Sequence, residues 1–235
     1  MSTESVGLAV SSSTGVMSIA VGSLGGGHPV VSATIETDRR HAEEISPLIA
    51  TLTTKAGTPL SDLDVLVVDR GPGRFTGLRV GLATVRTLAF ALDLDVIGLT
   101  SLEILANATG LVDHEEYHRC GQTVTAVIDA RRNEVFQQVF TAGRPVAEPA
   151  VGLAEDLARA ASGIVVGDGL DRYPDAYGAA GAATNRRFPL TGVTVDAVTM
   201  LAIAAGRDPQ PGSRVEPLYL RNPDVNPNVT TRPRA

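Results

Sequence analysis

The order in which the sequence predicts strands and helices occurs twice along the chain, and this duplication restricts the fold more than any single motif does. In the first half, short apolar runs separated by serine and glycine turns predict three successive strands, followed by alternating helices and strands. The predicted elements are strands at 6–10, 16–21, 30–35, 65–68 and 96–99, helices at 41–56 and from the turn at 70–77 to about 92, and a short helix from 101.

The second half repeats the order of three strands, helix, strand and helix, without a repeat of individual residues. Its predicted elements are strands at 124–128, 135–140, 145–151 and 164–166, and helices at 153–161 and about 195–205. Alternation of strands and helices favours an α/β fold. We therefore predict two lobes, at residues 1–110 and 111–209, followed by a proline-rich tail at 210–235 that packs in part along the body.

Charge and cysteine content exclude several classes of protein. The 235 residues carry a formal net charge of −6, whereas a chain that acts mainly by holding nucleic acid usually has a basic stripe, so we expect another component to hold most of any nucleic acid. A single cysteine, Cys120, excludes an internal disulfide and a site of several thiolates. The first residues lack the basic region of a signal peptide, and the longest uncharged stretch, 5–35, is broken by turns. We expect a cytoplasmic protein with no membrane association.

The glycine-rich turn at 71–77 is the most informative local motif. It has no lysine where a phosphate-binding P-loop needs one, and Thr76 stands where a dinucleotide-binding turn needs its third glycine, so both are rejected. Gly73, Gly77 and Gly81 recur every four residues, which places them on one face of a helix. A face without side chains lets another backbone approach closely. The spacing alone favours packing against the protein's own sheet over a partner interface.

Two turns contain candidate phosphate ligands. The first hairpin turn offers the hydroxyl and amide groups of Ser12, Ser13 and Thr14, although serine and threonine are common in any turn. The second hairpin turn offers Arg131 and Arg132, whose guanidinium groups suit a phosphate or RNA. For each turn the alternative is ordinary turn chemistry at a solvated surface.

The stretch from His114 to His118 formally matches the zinc motif H-E-x-x-H. The segment is short and polar and has no apolar stripe that would predict a helix, so an incidental surface is favoured over a metal site. The sequence shows no arrangement of serine, histidine and aspartate that would indicate a nucleophilic triad. The sequence therefore predicts neither catalytic residues nor metal ligands.

Residues 70–82 resemble the glycine-rich signature of the TsaB family, the bacterial tRNA threonylcarbamoyladenosine biosynthesis proteins. Further segments resemble motifs of that family in the same order. They are His41-Ala-Glu43 with Pro47-Leu-Ile49, Leu88–Leu92, Gly98–Glu103, Ile128–Val135 and Pro217–Arg221. The likeness is dense from Leu8 to Glu103 and patchy from Val124 to Arg221.

The resemblance implies a fold and a role. The fold is that of the actin, sugar-kinase and heat-shock ATPase superfamily, with two ribonuclease-H-like lobes and the second lobe reduced. The role is that of a non-catalytic subunit that pairs with a TsaD-like transferase and is joined by a TsaE-like ATPase. That complex moves a threonylcarbamoyl group to the adenosine beside the tRNA anticodon. The resemblance further implies that this chain requires no cofactor of its own, that ATP can act at the complex, and that the chain alone can pair with itself; it leaves open whether the isolated chain is a monomer or a homodimer.

In that family the two long helices of the first lobe form the subunit interface. The resemblance therefore reverses the preference for the three glycines, and it implies that Gly77→Leu abolishes partner association while the monomer stays folded. The implied interface residues are His41, Glu43, Leu48, Gly73, Phe75, Gly77, Leu78 and Gly81.

One position departs from the family pattern. The family usually has aspartate at the end of the first strand, where this chain has Ser11. The departure counts against ATP hydrolysis by this chain alone. The alternatives that remain are a stand-alone ATPase or small kinase of the same fold, a metallopeptidase, and a generic dimerisation module.

Overall fold

A computed structural model describes residues 5–25, 30–36, 41–108, 114–178 and 187–221. Within these ranges the strands form two mixed six-stranded sheets, one in each half of the chain. The first sheet contains β1 (Val6–Ser11), β2 (Val16–Ser23), β3 (Val31–Glu36), β4 (Val65–Asp69), β5 (Asp95–Leu99) and the late β12 (Gln210–Pro211). The second contains β6 (Thr123–Arg131), β7 (Glu134–Thr141), β8 (Arg144–Pro145), β9 (Ala150–Leu153), β10 (Gly163–Val166) and β11 (Arg187–Leu190).

The first sheet has the spatial order β12-β5-β4-β1-β2-β3. Strands β1, β4 and β5 run parallel, and β1, β2 and β3 form successive antiparallel pairs. Helices α1 (His41–Ala56) and α2 (Phe75–Leu92) pack on one face. Their apolar stripes close a core with the sheet, because residues three or four apart share a helix face. The short helix α3 (Ser101–Ala106) follows β5.

The second sheet has the order β11-β10-β6-β7-β8, with β9 paired to β7. As in the first sheet, a hairpin leads to a strand that is parallel to the first strand of the hairpin. The duplicated order predicted from the sequence is therefore confirmed. The helices of this half are α4 (Glu115–Arg119), α5 (Ala154–Leu157), α6 (Asp168–Arg172), α7 (Pro174–Tyr177) and α8 (Ala197–Ala204).

Three details of the second half differ from the prediction. The strand predicted at 145–151 consists of the separate strands β8 and β9. The helix predicted at 153–161 is the single turn α5 followed by a 3-10 turn at 158–160. The stretch that the sequence left without regular structure contains α6, α7 and β11.

Helix α8 falls within the predicted second lobe, at 111–209, but it packs on the first sheet. The amide of Ala197 donates a hydrogen bond to Ser18 Oγ at 3.0 Å. Met200 and Leu201 join the core that includes Ala9 and Ala20. The helix is apolar on most of its circumference, so it requires cover on more than one side. Strand β12 continues on the same sheet by pairing with β5.

The tail from 210 follows the expectation of an extended segment along the body as far as residue 221. Val215 is buried, and the amide of Leu218 donates to the carbonyl of Arg70 at 2.7 Å. Arg221 Nη1 donates to the carbonyl of Ala130 at 3.0 Å and pairs with Glu134 Oε2 at 2.7 Å. The rest of the predicted tail, 222–235, lies outside the described residues.

Helix α2 is long and apolar enough, by length and composition, to cross a membrane. Its buried positions include Leu78, Leu82, Val85 and Ala89, which lie on the side that faces the sheet. An amphipathic helix of a soluble core passes the same test of composition, so α2 is a core helix of this globular α/β fold.

Candidate functional site

The carboxyl ends of β1, β4 and β5 meet at one edge of the first sheet, and the buried carboxyl group of Asp69 lies there. Asp69 ends β4 and is 2% exposed. It accepts hydrogen bonds from Ser11 Oγ at 2.8 Å, from Ser101 Oγ at 2.6 Å and from the amide of Gly71 at 2.9 Å. Ser13 Oγ donates a fourth. One carboxyl group therefore joins the first hairpin turn, the glycine-rich turn and the start of α3.

Asp69 was not among the residues singled out from the sequence. It nevertheless lies next to Ser11, the position at which the chain departs from the family pattern. The register of β1 with β4 pairs Val10 with Val68, so the next residues, Ser11 and Asp69, are neighbours at the strand ends. A carboxyl group thus lies beside the position where the resemblance leads one to expect one, but it comes from the adjacent strand.

Burial raises the pKa of Asp69, because transfer from water penalises the charged form. The hydrogen bonds from Ser101, Ser13, Gly71 and Ser11 oppose that rise but do not cancel it. A carboxyl group whose pKa is raised by folding binds its proton more tightly in the folded state. Its contribution to stability is therefore complete below the unfolded pKa and is lost as the pH rises through the folded pKa.

We expect the free energy of unfolding of the native protein to fall relative to that of Asp69→Asn as the pH rises above 3.8, the ordinary pKa of the group. The other carboxyl groups are common to both proteins and cancel in the difference. Urea denaturation at successive pH values between about 4 and 8 measures it. A difference that stays constant over this range would show that folding leaves the pKa of Asp69 unchanged.

The three hydroxyl groups predicted as phosphate ligands all have partners within the chain. Ser12 Oγ donates to the carbonyl of Gly77 at 2.8 Å, Ser13 Oγ donates to Asp69, and Thr14 Oγ1 donates to the carbonyl of Val16 at 3.2 Å. A phosphate at this turn would have to displace these bonds and would face the Asp69 carboxyl group.

The same hairpin turn covers Gly77 and Gly81 of α2 and also Gly73, which lies in the turn before the helix and not in it as the spacing had predicted. A Cβ atom added at Gly73 or Gly77 would lie closer than 3.0 Å to the carbonyl oxygen of Ser13 or Ser12, and one at Gly81 would lie equally close to Ser12 Oγ. Packing within the chain therefore explains why these positions lack side chains, and their role at a partner interface stays a prediction. They allow the turn to approach the helix, which is what their spacing alone had favoured.

The other predicted interface residues divide into buried and surface positions. His41 and Leu78 are buried within the chain, so they offer little surface to a partner. Burial, followed by the charge of Arg74, lowers the pKa of His41. Glu43 and Phe75 are exposed and Leu48 is half-buried, so these three reach the surface formed by α1 and α2.

The exposed side of α2 carries an unusual apolar residue. Phe90 is 92% exposed. It lies in line with Thr76, Arg79, Ala83 and Thr87, which are also exposed and recur at helical spacing. The exposed side of α1, which packs beside α2, is mostly small or uncharged. We call this surface the α1/α2 face; its exposed members are Ala42, Glu43, Ser46, Pro47, Ala50, Thr51, Thr76, Arg79, Ala83, Thr87 and Phe90.

A cavity of about 420 Å³ lies between the two lobes, and we call it the interlobe cleft. Its charged lining residues are Arg74, Glu36, Asp168 and Asp171, so carboxyl groups outnumber the guanidinium group. Burial raises the pKa of Asp168, although the amide of Asp129 donates to it at 2.9 Å. An acid-rich cleft disfavours phosphate.

A second cavity, of about 380 Å³, lies where the glycine-rich turn, the second hairpin turn and the C-terminal segment meet. We call it the arginine groove; its charged lining residues are Arg74, Arg131, Arg132, Arg221 and Asp129. The predicted phosphate or RNA contacts Arg131 and Arg132 thus lie together with Arg74, which the sequence analysis did not single out. Segments that are far apart in sequence build the groove, so no local pattern predicts it.

The stretch from His114 to His118 forms the short helix α4 and its first flanking residue. His114 Nδ1 contacts Glu116 Oε2 at 2.7 Å, and the ring of His118 packs edge-on to that of Tyr117. Among the residues that the structure describes, no group of three or more histidine, cysteine or acidic side chains could hold a metal ion.

Comparison with known proteins gives consistent matches over most of the chain. The family model TsaD, described as tRNA N6-adenosine threonylcarbamoyltransferase, matches residues 22–208. An uncharacterized protein of Mycobacterium tuberculosis H37Rv is 32% identical over 192 residues, which are 80% of this chain and 79% of that protein. The tRNA threonylcarbamoyladenosine biosynthesis protein TsaB of Escherichia coli is 36% identical over 99 residues, which are 42% of this chain and 40% of that protein. A solved structure, YeaZ from Pseudomonas aeruginosa, has a TM-score of 0.75 and 29% identity, and covers 92% of this chain and 100% of its own.

Proposed function

Because the chain belongs to the TsaB/YeaZ family, we propose that it is a non-catalytic subunit of the assembly that makes threonylcarbamoyladenosine in tRNA. The two mixed six-stranded sheets and the match to the YeaZ structure confirm the predicted α/β fold class. TsaB proteins of Escherichia coli and Haemophilus influenzae are named for threonylcarbamoyladenosine biosynthesis, and each matches about two fifths of this chain. The partner of this chain is a TsaD-like transferase, a TsaE-like ATPase joins them, and tRNA is bound by the whole.

The observation that carries this proposal is the α1/α2 face with Phe90 at 92% exposure. An isolated soluble protein gains nothing from a phenylalanine in water, whereas large aromatic side chains are enriched at the centres of interfaces. The neighbours Ala83 and Thr87 are small or short, so a partner helix can approach closely. The face is thus suited to the transferase, and in its absence to a second copy of this chain.

The occupied hairpin turn and the acid-rich cleft support a role without catalysis. The hydroxyl groups of Ser12 and Ser13 are engaged by Gly77 and Asp69. The interlobe cleft carries three carboxyl groups and one guanidinium group. A stand-alone ATPase or small kinase would need that turn and that cleft for nucleotide phosphates. In the proposed role this chain needs no cofactor, and ATP is used by the complex.

The test is co-elution of the full chain with the TsaD-like transferase of the same organism, read by size-exclusion chromatography with light scattering. We expect a complex with the native chain and at least about 30-fold weaker association for Phe90→Asp, because loss of a central aromatic anchor commonly costs about 2 kcal/mol or more. Thermal denaturation establishes that the variant is folded.

Val146→Asp is the matched control, because Val146 is an apolar residue of the second lobe that is 59% exposed. It should associate like the native chain. The proposal is wrong if the native chain and the transferase elute separately. The assignment of the face is wrong if Phe90→Asp associates as tightly as Val146→Asp. A Phe90→Asp chain that loses only self-association would identify the face as a homodimer surface.

A further inference from the structure

The arginine groove is built from three segments that the chain brings together from both lobes. Residues 72–75 come from the glycine-rich turn, 129–132 from the second hairpin turn and 218–221 from the C-terminal segment. The hydrogen bonds of Leu218 to Arg70 and of Arg221 to Ala130 hold the third segment against the other two. The groove is therefore formed before any ligand enters it.

The charge of the groove is opposite to that of the interlobe cleft. Among its described lining residues there are four arginines and one carboxyl group, Asp129. The guanidinium group of Arg74 lies against Gly15, on the side of the interlobe cleft, so the charge that the groove offers comes from the other arginines. Arg221 Nη1 forms an ion pair with Glu134 Oε2 at 2.7 Å, so the charge of Arg221 is largely neutralised and its role is to hold the C-terminal segment in place. Arg131 is 60% exposed and lies 3.4 Å from Asp129, which is the geometry of a weak surface pair that a stronger anion can replace. In a chain with a net charge of −6, this concentration of guanidinium groups selects an anion locally.

Guanidinium groups select phosphate in particular, because their planar donors match two phosphate oxygens at once. The backbone of the second hairpin turn fixes where two of them lie. Arg131, Arg132 and Asn133 have φ values of 65°, 57° and 62°, a left-handed conformation that residues other than glycine adopt uncommonly. A two-residue hairpin turn requires positive φ at its central residues, which here are Arg132 and Asn133 between the paired Arg131 and Glu134. The turn therefore presents Arg131 and Arg132 at the groove rather than along the strands.

The rim of the groove carries an aromatic pair. The rings of Phe75 and Tyr219 lie 5.4 Å apart and are 37% and 40% exposed. Arg79 fixes both rings, since its guanidinium group lies 3.6 Å from the centre of the Phe75 ring and its Nε donates to Tyr219 Oη at 3.0 Å. Ordered, half-exposed aromatic rings next to arginines are the arrangement on which unpaired bases stack.

We infer that the arginine groove binds an unpaired nucleotide of RNA, with its phosphate at Arg131 and Arg132 and its base on the Phe75–Tyr219 pair. The volume of about 380 Å³ is at the scale of a small-ligand site. We infer an anionic and aromatic ligand from the arginines and aromatic rings of the groove. The choice of RNA over other phosphate compounds rests on the proposed function. The groove would add one local contact to an RNA that other subunits mainly hold.

The test uses the full native chain alone, with a fluorescein-labelled RNA stem-loop that has an unpaired adenosine in its loop, and with a blunt RNA duplex of the same stem. Fluorescence anisotropy at several NaCl concentrations gives the affinity and its salt dependence. We expect the stem-loop to bind more tightly than the duplex. The double variant Arg131→Gln with Arg132→Gln should bind the stem-loop about tenfold or more weakly, with a salt slope smaller by about 1 to 2.

The aromatic contact has its own variant. Tyr219→Leu keeps an apolar side chain but removes the ring, and it should reduce the preference for stem-loop over duplex by about fivefold or more. The matched control is the double variant Arg144→Gln with Arg159→Gln, which removes the same charge at exposed positions of the second lobe away from the groove. It should bind within about twofold of the native chain at the same salt.

The inference is overturned if the native chain does not bind the stem-loop at low salt, or if the control double variant loses as much affinity as the groove double variant. It is also overturned if ATP displaces the stem-loop while Tyr219→Leu has no effect, which would indicate a site for free phosphates. Loss of transferase co-elution in the groove double variant with RNA binding retained would identify a protein-docking groove. Because RNA binding is measured without the transferase and co-elution without RNA, each proposal can fail separately.

Discussion

Gly77→Ala is expected to unfold the protein or to lower its free energy of unfolding by about 3 kcal/mol or more. The added Cβ would lie closer than 3.0 Å to the carbonyl oxygen of Ser12. That oxygen belongs to the backbone of the turn whose side chains are fixed to Asp69 and to α2, so it cannot move aside alone. Urea denaturation followed by circular dichroism measures the change.

A graded series separates the backbone clash from the general cost of replacing glycine. At Gly81 the nearest atom is Ser12 Oγ, a side-chain atom that can rotate, so Gly81→Ala should cost less than Gly77→Ala, and Ser12→Ala should relieve part of that cost. Gly152→Ala is the matched control, because its nearest contact is Leu157 at 3.6 Å and its effect should stay within about 1 kcal/mol. If Gly77→Ala is as stable as Gly152→Ala but loses the partner, the original interpretation of the glycines as an interface was right.

Asp69→Ala is expected to lower the free energy of unfolding by about 3–5 kcal/mol, because it leaves buried donors of Ser11, Ser13, Ser101 and Gly71 without an acceptor. Asp69→Asn keeps the size of the side chain and one acceptor oxygen, and the serine hydroxyl groups can accept from its amide. It should therefore cost about 1–2 kcal/mol.

Equilibrium denaturation of the native chain and both variants at one pH gives this comparison. An alanine variant that loses less than about 1 kcal/mol would mean that water satisfies the donors and that the cluster does not organise the strand ends. Equal losses for alanine and asparagine would mean that the charge, rather than the acceptor oxygens, matters.

The element order was predictable because apolar periodicity is a local property. The continuous apolar run of β4 and the helical spacing in α1 carry their own signal. Helix α7 has no such local signal. Its Tyr177 is buried because it contacts a residue distant in sequence, through a 2.6 Å hydrogen bond from Tyr177 Oη to Gln137 Oε1. The position of α8 was not predicted for a related reason. The apolar sequence of a helix indicates that other elements cover it, but not which sheet it packs on.

In the candidate functional site, too, local sequence patterns were predictable and tertiary contacts were not. The spacing of Gly73, Gly77 and Gly81 correctly indicated a face that another backbone approaches, but not that Ser12 and Ser13 cover it. Asp69 has no distinctive sequence neighbourhood, and its partners Ser11 and Ser101 lie 58 and 32 residues away. Only one part of the arginine groove could be predicted, because Arg131 and Arg132 lie in a turn that the sequence indicates. The other two segments join this turn only through tertiary contacts.

The C-terminal segment that bridges the lobes has a mechanical consequence. To swing the lobes apart, the molecule would have to break the Leu218–Arg70 bond on one side or the Arg221–Ala130 and Arg221–Glu134 bonds on the other, and to pull α8 from the first sheet. These bonds therefore oppose opening of the interlobe cleft, by about 1 kcal/mol each. While they hold, the surfaces of the two lobes keep one position relative to each other, so that a partner bound to the first lobe is aligned with whatever binds the second.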